Sequence, residues 1–180
     1  PFLNMARELG YRWMTTCSFG GVDYLFVSTL GPLEGNILYT SDGVTFGAAS
    51  RLGYPSGTVG FRTMACFKDA TYGQMLVTTP VGKGGDVQTF DSDRTDNPIV
   101  LANSNPVSGS TWRNYSAMGM GEPDNGAIFS LMASGRYLYA GVTNEVSGGQ
   151  LWRTEGCSGW WPFCTPAWTK VLDRGGGRPK

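Results

Sequence analysis

Gly10-Tyr11-Arg12, Tyr24-Leu25-Phe26-Val27 and Gly35-Asn36-Ile37-Leu38-Tyr39-Thr40-Ser41-Asp42-Gly43, closing with Thr45-Phe46, form a pattern that the chain writes three times. The second copy reads Gly60-Phe61-Arg62, Met75-Leu76-Val77-Thr78 and Gly85-Asp86-Val87-Gln88-Thr89-Phe90-Asp91-Ser92-Asp93, with Trp112 further on. The third reads Gly126-Ala127-Ile128, Tyr137-Leu138-Tyr139-Ala140 and Gly149-Gln150-Leu151-Trp152-Arg153-Thr154-Glu155-Gly156, with Trp168 after an insertion. Gly10 and Gly60 are 50 positions apart, Gly60 and Gly126 are 66 apart, and each unit is built from short apolar runs. Such a period belongs to repeat architectures.

Within the first unit, residues 10 to 18 alternate as a strand does, Gly20-Gly21 turns the chain, and 24 to 29 is dense enough in apolar and β-branched residues for burial on both faces. A third strand over 36 to 40, a tight turn at Ser41-Asp42-Gly43 and a fourth strand over 45 to 50 complete an antiparallel meander. Each glycine inside a helix would cost about 0.8 to 1.0 kcal/mol, so no long helix is expected from a chain with 27 of them. A four-stranded meander cannot bury both faces alone, and units of this size stack radially, as the blades of a β-propeller, more readily than as a solenoid. The fold class is all-β. The expected layout is a tail or extension at 1–9, blade 1 at 10–58, blade 2 at 59–125 with an exposed insertion at 94–110, blade 3 at 126–172 with an insert at 157–164, and a linker or tail at 173–180.

Fourteen basic and fourteen acidic side chains cancel, and no block of like charge occurs, which argues against nucleic acid and anionic lipid as partners. No apolar stretch approaches the ~18 residues of a membrane helix, so no membrane span is expected and the chain reads as soluble or peripheral. It begins at Pro1 with neither methionine nor a signal-like segment, which reads as a processed or cut product. There is no histidine and no Cys-x-x-Cys, so neither a metal nor another cofactor is expected. Cys157 and Cys164 flank a short loop with Gly and Pro that allows a disulfide, and with it an extracellular, periplasmic or cell-envelope location. Cys17 and Cys66 differ by one in register from Arg12 and Arg62. That sets them on opposite sides of their sheets, and no pairing is assigned to them.

Thr40-Ser41-Asp42-Gly43-Val44-Thr45-Phe46 resembles the Asp-box (BNR) turn of sialidase-like propellers, here without the spacer between Asp and Gly. Thr154-Glu155-Gly156 is similar to a degenerate copy in which Glu155 replaces the Asp, and Asp91 and Asp93 keep the acid but lose the glycine. The physical role of such a box is a staple. Asp42 accepts N–H groups of its own turn, Gly43 takes a positive φ, the Thr45 hydroxyl adds a bond, and the Phe46 ring tucks beneath. The same structural role is expected of Asp91, Asp93 and Glu155. The resemblance implies a propeller, and for a sialidase it implies an arginine triad, a tyrosine nucleophile backed by glutamate and an aspartate acid. Ile128 stands where a third arginine would recur, and no such constellation is legible, so no catalytic residue is assigned.

Propeller geometry collects the linkers, the loops between second and third strands and the starts of first strands on one face, here called upper. Arg12 and Arg62 would lie there at the mouth of the channel, with Glu34, Lys83, Asn144 and Glu145 around them. The arginines either bind a carboxylate or phosphate or pair with neighbouring blades. Trp160 and Trp161, with Phe163, either stack on a sugar or protein partner or cover a blade edge. Asn114-Tyr115-Ser116 matches a glycosylation sequon. Three blades do not close a ring, so the end faces must be covered by other blades of a longer polypeptide, by a second copy, or by a swapped arrangement. The leading functional expectation is a non-catalytic module for carbohydrate binding or protein-protein interaction, or an accessory subunit of an envelope assembly. The alternative is part of a sialidase-like glycoside hydrolase or lyase whose catalytic residues lie in further blades.

Overall fold

The computed structural model describes residues 9–32, 34–49, 54, 57–82, 98–158 and 164–177. These residues form three successive four-stranded antiparallel meanders. The first consists of β1 (Gly10–Phe19), β2 (Val22–Leu30), β3 (Ile37–Thr40) and β4 (Gly47–Ala48). The second consists of β5 (Gly60–Asp69), β6 (Gly73–Val81), β7 (Leu101–Asn103) and β8 (Arg113–Asn114). The third consists of β9 (Asn125–Ser134), β10 (Tyr137–Asn144), β11 (Gln150–Thr154) and β12 (Thr169–Leu172). Gly20 and Gly21, at φ 61° and 81°, make the hairpin between β1 and β2, a geometry that L side chains rarely adopt.

Period-two alternation in the middle meander decides how the units stack. Met75 and Val77 of β6, Val100 and Ala102 at β7, and Phe67 of β5 join one core with Ile128, Leu131, Leu138, Ala140 and Trp152 of the third meander. The residues between them, Leu76, Leu101, Met64 and Cys66, join a second core with Cys17, Phe19, Phe26 and Ile37 of the first. One sheet is thus buried on both faces between two others, which is why its strands read as continuous apolar runs. The innermost strands β1, β5 and β9 follow one another around the centre. Cys17 of β1 is bonded to Cys66 of β5, the Leu131 N–H of β9 donates to Thr63 Oγ1 of β5 at 3.2 Å, and Thr79 Oγ1 of β6 donates to the Ile128 carbonyl at 3.4 Å. The Leu30–Gly60 bridge joins the first two meanders into one eight-stranded sheet, and the third meander is a four-stranded sheet of its own. The chain is all-β, and these are three blades of a partial β-propeller.

One reading changes on the second blade. Its third strand is β7, inside the segment read as an exposed loop at 94–110, and Ile99, Val100, Leu101 and Ala102 are all buried. The polar residues that suggested exposure are instead local staples. Buried Asn103 accepts the Asn105 N–H at 2.8 Å and the Ser110 hydroxyl, and donates to the Ser110 carbonyl at 2.9 Å. Residues 85–93, which carry the second copy of the pattern, Asp91 and Asp93 included, lie outside the described residues.

Candidate functional site

The turn between β3 and β4 is held by its acid as the residue types require. Asp42 Oδ1 accepts the N–H groups of Val44 at 2.8 Å and Thr45 at 2.7 Å and the Thr40 hydroxyl at 2.9 Å, while Thr40 Oγ1 accepts the Gly43 N–H at 2.9 Å. Gly43 has φ 75°. The N–H groups of Thr45 and Val44, and then the Thr40 hydroxyl, hold the Asp42 carboxyl well below the usual carboxylate range. Phe46 does not tuck beneath; the residue, just before the two-residue β4, is 48% exposed.

The corresponding turn of blade 3 uses a different acid. Glu155 lies on the surface in an ion pair with Arg136 at 3.3 Å. The carboxylate that meets this turn comes from Asp69 of blade 2, which is only 1% exposed and accepts the Cys157 N–H at 2.7 Å. Asp69 also accepts the N–H groups of Thr71 and Tyr72 and the Tyr115 hydroxyl. Burial, and then the Asp69 carboxylate, push the Tyr115 phenol far up, so it stays a donor. The Cys157–Cys164 disulfide is present, and its two cysteines are held to blade 2: Thr71 Oγ1 donates to the Cys157 carbonyl at 2.9 Å and the Tyr72 hydroxyl to the Cys164 carbonyl at 3.3 Å. Trp160, Trp161 and Phe163 lie outside the described residues.

On the upper face, the loop between β2 and β3 closes onto the start of β5. Gly31 N–H donates to the Val59 carbonyl at 2.9 Å and Gly35 N–H to the Thr58 carbonyl at 3.1 Å. Gly35 sits so close that a Cβ there would come within 2.2 Å of Gly60 Cα. Arg12 is half-buried in a bulge between Tyr11 and Trp13, and Glu34 and Glu145 are exposed. Arg62 is 6% exposed, with its guanidinium 4.1 Å from the centre of the Phe129 ring. Asn144 is a buried turn staple that accepts the N–H groups of Val146 and Ser147 at 3.0 and 2.7 Å and donates to Asn125 Oδ1 at 2.9 Å. Lys83 lies outside the described residues. Nearby, Glu122 accepts from Gln150 at 2.6 Å and from Lys170; the Lys170 ammonium, then Gln150, hold the Glu122 carboxyl below its ordinary value.

The feature that sequence reasoning did not single out is the outward face of blade 3. Leu138, Ala140 and Val142 turn toward blade 2, so Tyr137, Tyr139, Gly141 and Thr143 turn away from it. Beside them Phe129, Leu151 and Leu172 line a groove of about 460 Å³, and Met132 is 68% exposed. Arg153, paired with Tyr139, lies 4.4 Å from the Tyr137 ring centre. Alternation in Tyr137-Leu138-Tyr139-Ala140 carried the signal, since it gives this strand two apolar faces where one blade covers only one.

The fold defines a partial β-propeller in which, among the described residues, no further blade covers the outward face of blade 3. No protein-family model matches the chain, and no curated protein matches it. Among solved structures it is similar to a Bombyx mori GH32 β-fructofuranosidase in complex with sucrose, at 14% sequence identity and a TM-score of 0.39, over 84% of this chain and 34% of that one. The chain therefore spans about a third of the length of that structure. Among the described residues, no group of three or more His, Cys, Asp or Glu is placed to hold a metal ion, and no helix is long and apolar enough to cross a membrane.

Proposed function

We propose that the chain is a β-propeller module that binds a protein or glycan partner through the open face of blade 3 and does not turn over a substrate. The observation that carries this reading is the groove lined by Phe129, Leu151 and Leu172, on the outward face to which Tyr139 and its strand partners Met132 and Arg153 also belong. Aromatic residues, Met and Arg are the types enriched at binding surfaces. The upper-face residues support it from the other side: Asn144 staples a turn, and Arg62 is buried against Phe129, which are structural duties. Two disulfides favour an oxidising compartment, extracellular or in the cell envelope.

The test is a panel of chromogenic glycosides, acidic sugars included, together with a glycan array, applied to the wild type, Phe129→Ser and the Arg12→Ala/Arg62→Ala double variant. The expected result is no hydrolysis, loss of any array signal in Phe129→Ser, and a lower melting temperature in the double variant because a buried cation and its aromatic contact are removed. Turnover that disappears in the double variant while the melting temperature stays unchanged overturns the proposal and favours a glycosidase.

A further inference from the structure

The repeat supplies its own template for what covers an open blade face. Leu25, Leu76 and Leu138 hold one position in the second strands of successive blades, and Phe26, Val77 and Tyr139 hold the next. Leu76 and Leu138 are buried against the preceding blade, and Phe26 and Val77 against the following one. At the ends of the series, Leu25 on blade 1 and Tyr139 on blade 3 stay half-buried. Tyr11 and Met14, paired with Thr29 and Val27 on the same outward face as Leu25, are 66% and 63% exposed. Blade 1 and blade 3 therefore present the two complementary halves of the interface that this chain already makes twice.

Charge favours the same contact. Gln74 stands in blade 2 where Asp23 stands in blade 1, and its amide reaches across to Cys17 Sγ of the preceding blade at 3.6 Å. Cys17, paired with Tyr24, corresponds in blade 3 to Ser134, paired with Tyr137. A blade 1 stacked on blade 3 by this rule brings exposed Asp23 to the end where Arg153 lies over Tyr137. We propose that blade 3 of one chain docks head to tail on blade 1 of a second copy, and that two such contacts related by a two-fold axis close a six-bladed ring. This names the partner for the face assigned above and rests on that reading for the choice of face.

Sedimentation equilibrium on the chain at about 50 µM tests it. The expected mass is twice the 19.4 kDa of one chain. Met132→Asp disables every blade 3 face and Met14→Asp every blade 1 face, so each variant alone is expected to be monomeric. Their mixture keeps one intact contact and is expected to give a two-chain species, bound at least ~10-fold more weakly than the wild type. Asp23→Arg and Arg153→Glu should each raise the dissociation constant by about 10-fold, and the double variant should recover to within about 3-fold of the wild type. A wild type that is monomeric, a dimer that survives Met14→Asp, or a mixture that stays monomeric overturns the proposal. A monomeric wild type leaves binding of another partner on this face standing, whereas glycoside turnover would remove that reading without touching the mass.

Discussion

At Asp42 one carboxylate oxygen receives the backbone N–H groups of Val44 and Thr45, so the ionised form is favoured in the folded chain. A folded-state pKa held below the unfolded value near 4 contributes stability that is fully present above that value and is lost as pH falls below it. Thermal melts between pH 6 and pH 2 are therefore expected to show an acid decline that Asp42→Asn flattens, with the variant already less stable at pH 6. An unchanged pH profile would show that the staple carries no weight. This turn was legible because its donors, acceptor and glycine lie within six residues. The carboxylate serving the blade 3 turn was not legible, because Asp69 stands 88 positions before Cys157 and only stacking brings them together.

At the scale of the strand, β6 shows why apolar runs and alternating runs mean different things. Met75 and Val77 belong to one core and Leu76 to another, so a central blade has no solvent face. Leu76→Ala is expected to lower the unfolding free energy by roughly 3 kcal/mol, as large-to-small changes at fully buried sites do. Leu25→Ala, at the same position of an end blade, should cost under about 1.5 kcal/mol when urea denaturation is run dilute enough to keep chains apart. Equal losses at the two sites would contradict the stacking. The strand pattern was readable wherever the repeat was intact. It failed at β7, since Leu101, Ala102 and Asn103 sit in a segment crowded with Asp, Asn, Pro and Ser, and a three-residue strand has too few positions to show a period.

For the whole molecule, the Cys17–Cys66 disulfide fastens blade 1 to blade 2 across 49 positions of chain, with Cα atoms 5.3 Å apart. Closing so long a loop restricts the unfolded chain, and Cys17→Ser/Cys66→Ser is expected to cost about 2 to 4 kcal/mol in urea unfolding. Peptide mapping without reductant should recover Cys17 linked to Cys66 and Cys157 linked to Cys164; free thiols at 17 and 66 would remove the fastening. The one-residue register difference between these cysteines does place them on opposite sides of their own sheets. It does not keep them apart, because in a stack the rear of one blade faces the front of the next. Sequence alone determined the four-stranded antiparallel unit and the Asp42 turn, since strand period, glycine conformation and side-chain staples act over a few neighbouring residues. Tertiary structure decided which cysteines meet, which acid serves which turn and which face stays open, because each depends on how successive blades, joined by only a few backbone bonds at Leu30–Gly60 and beside it, press their apolar sides together.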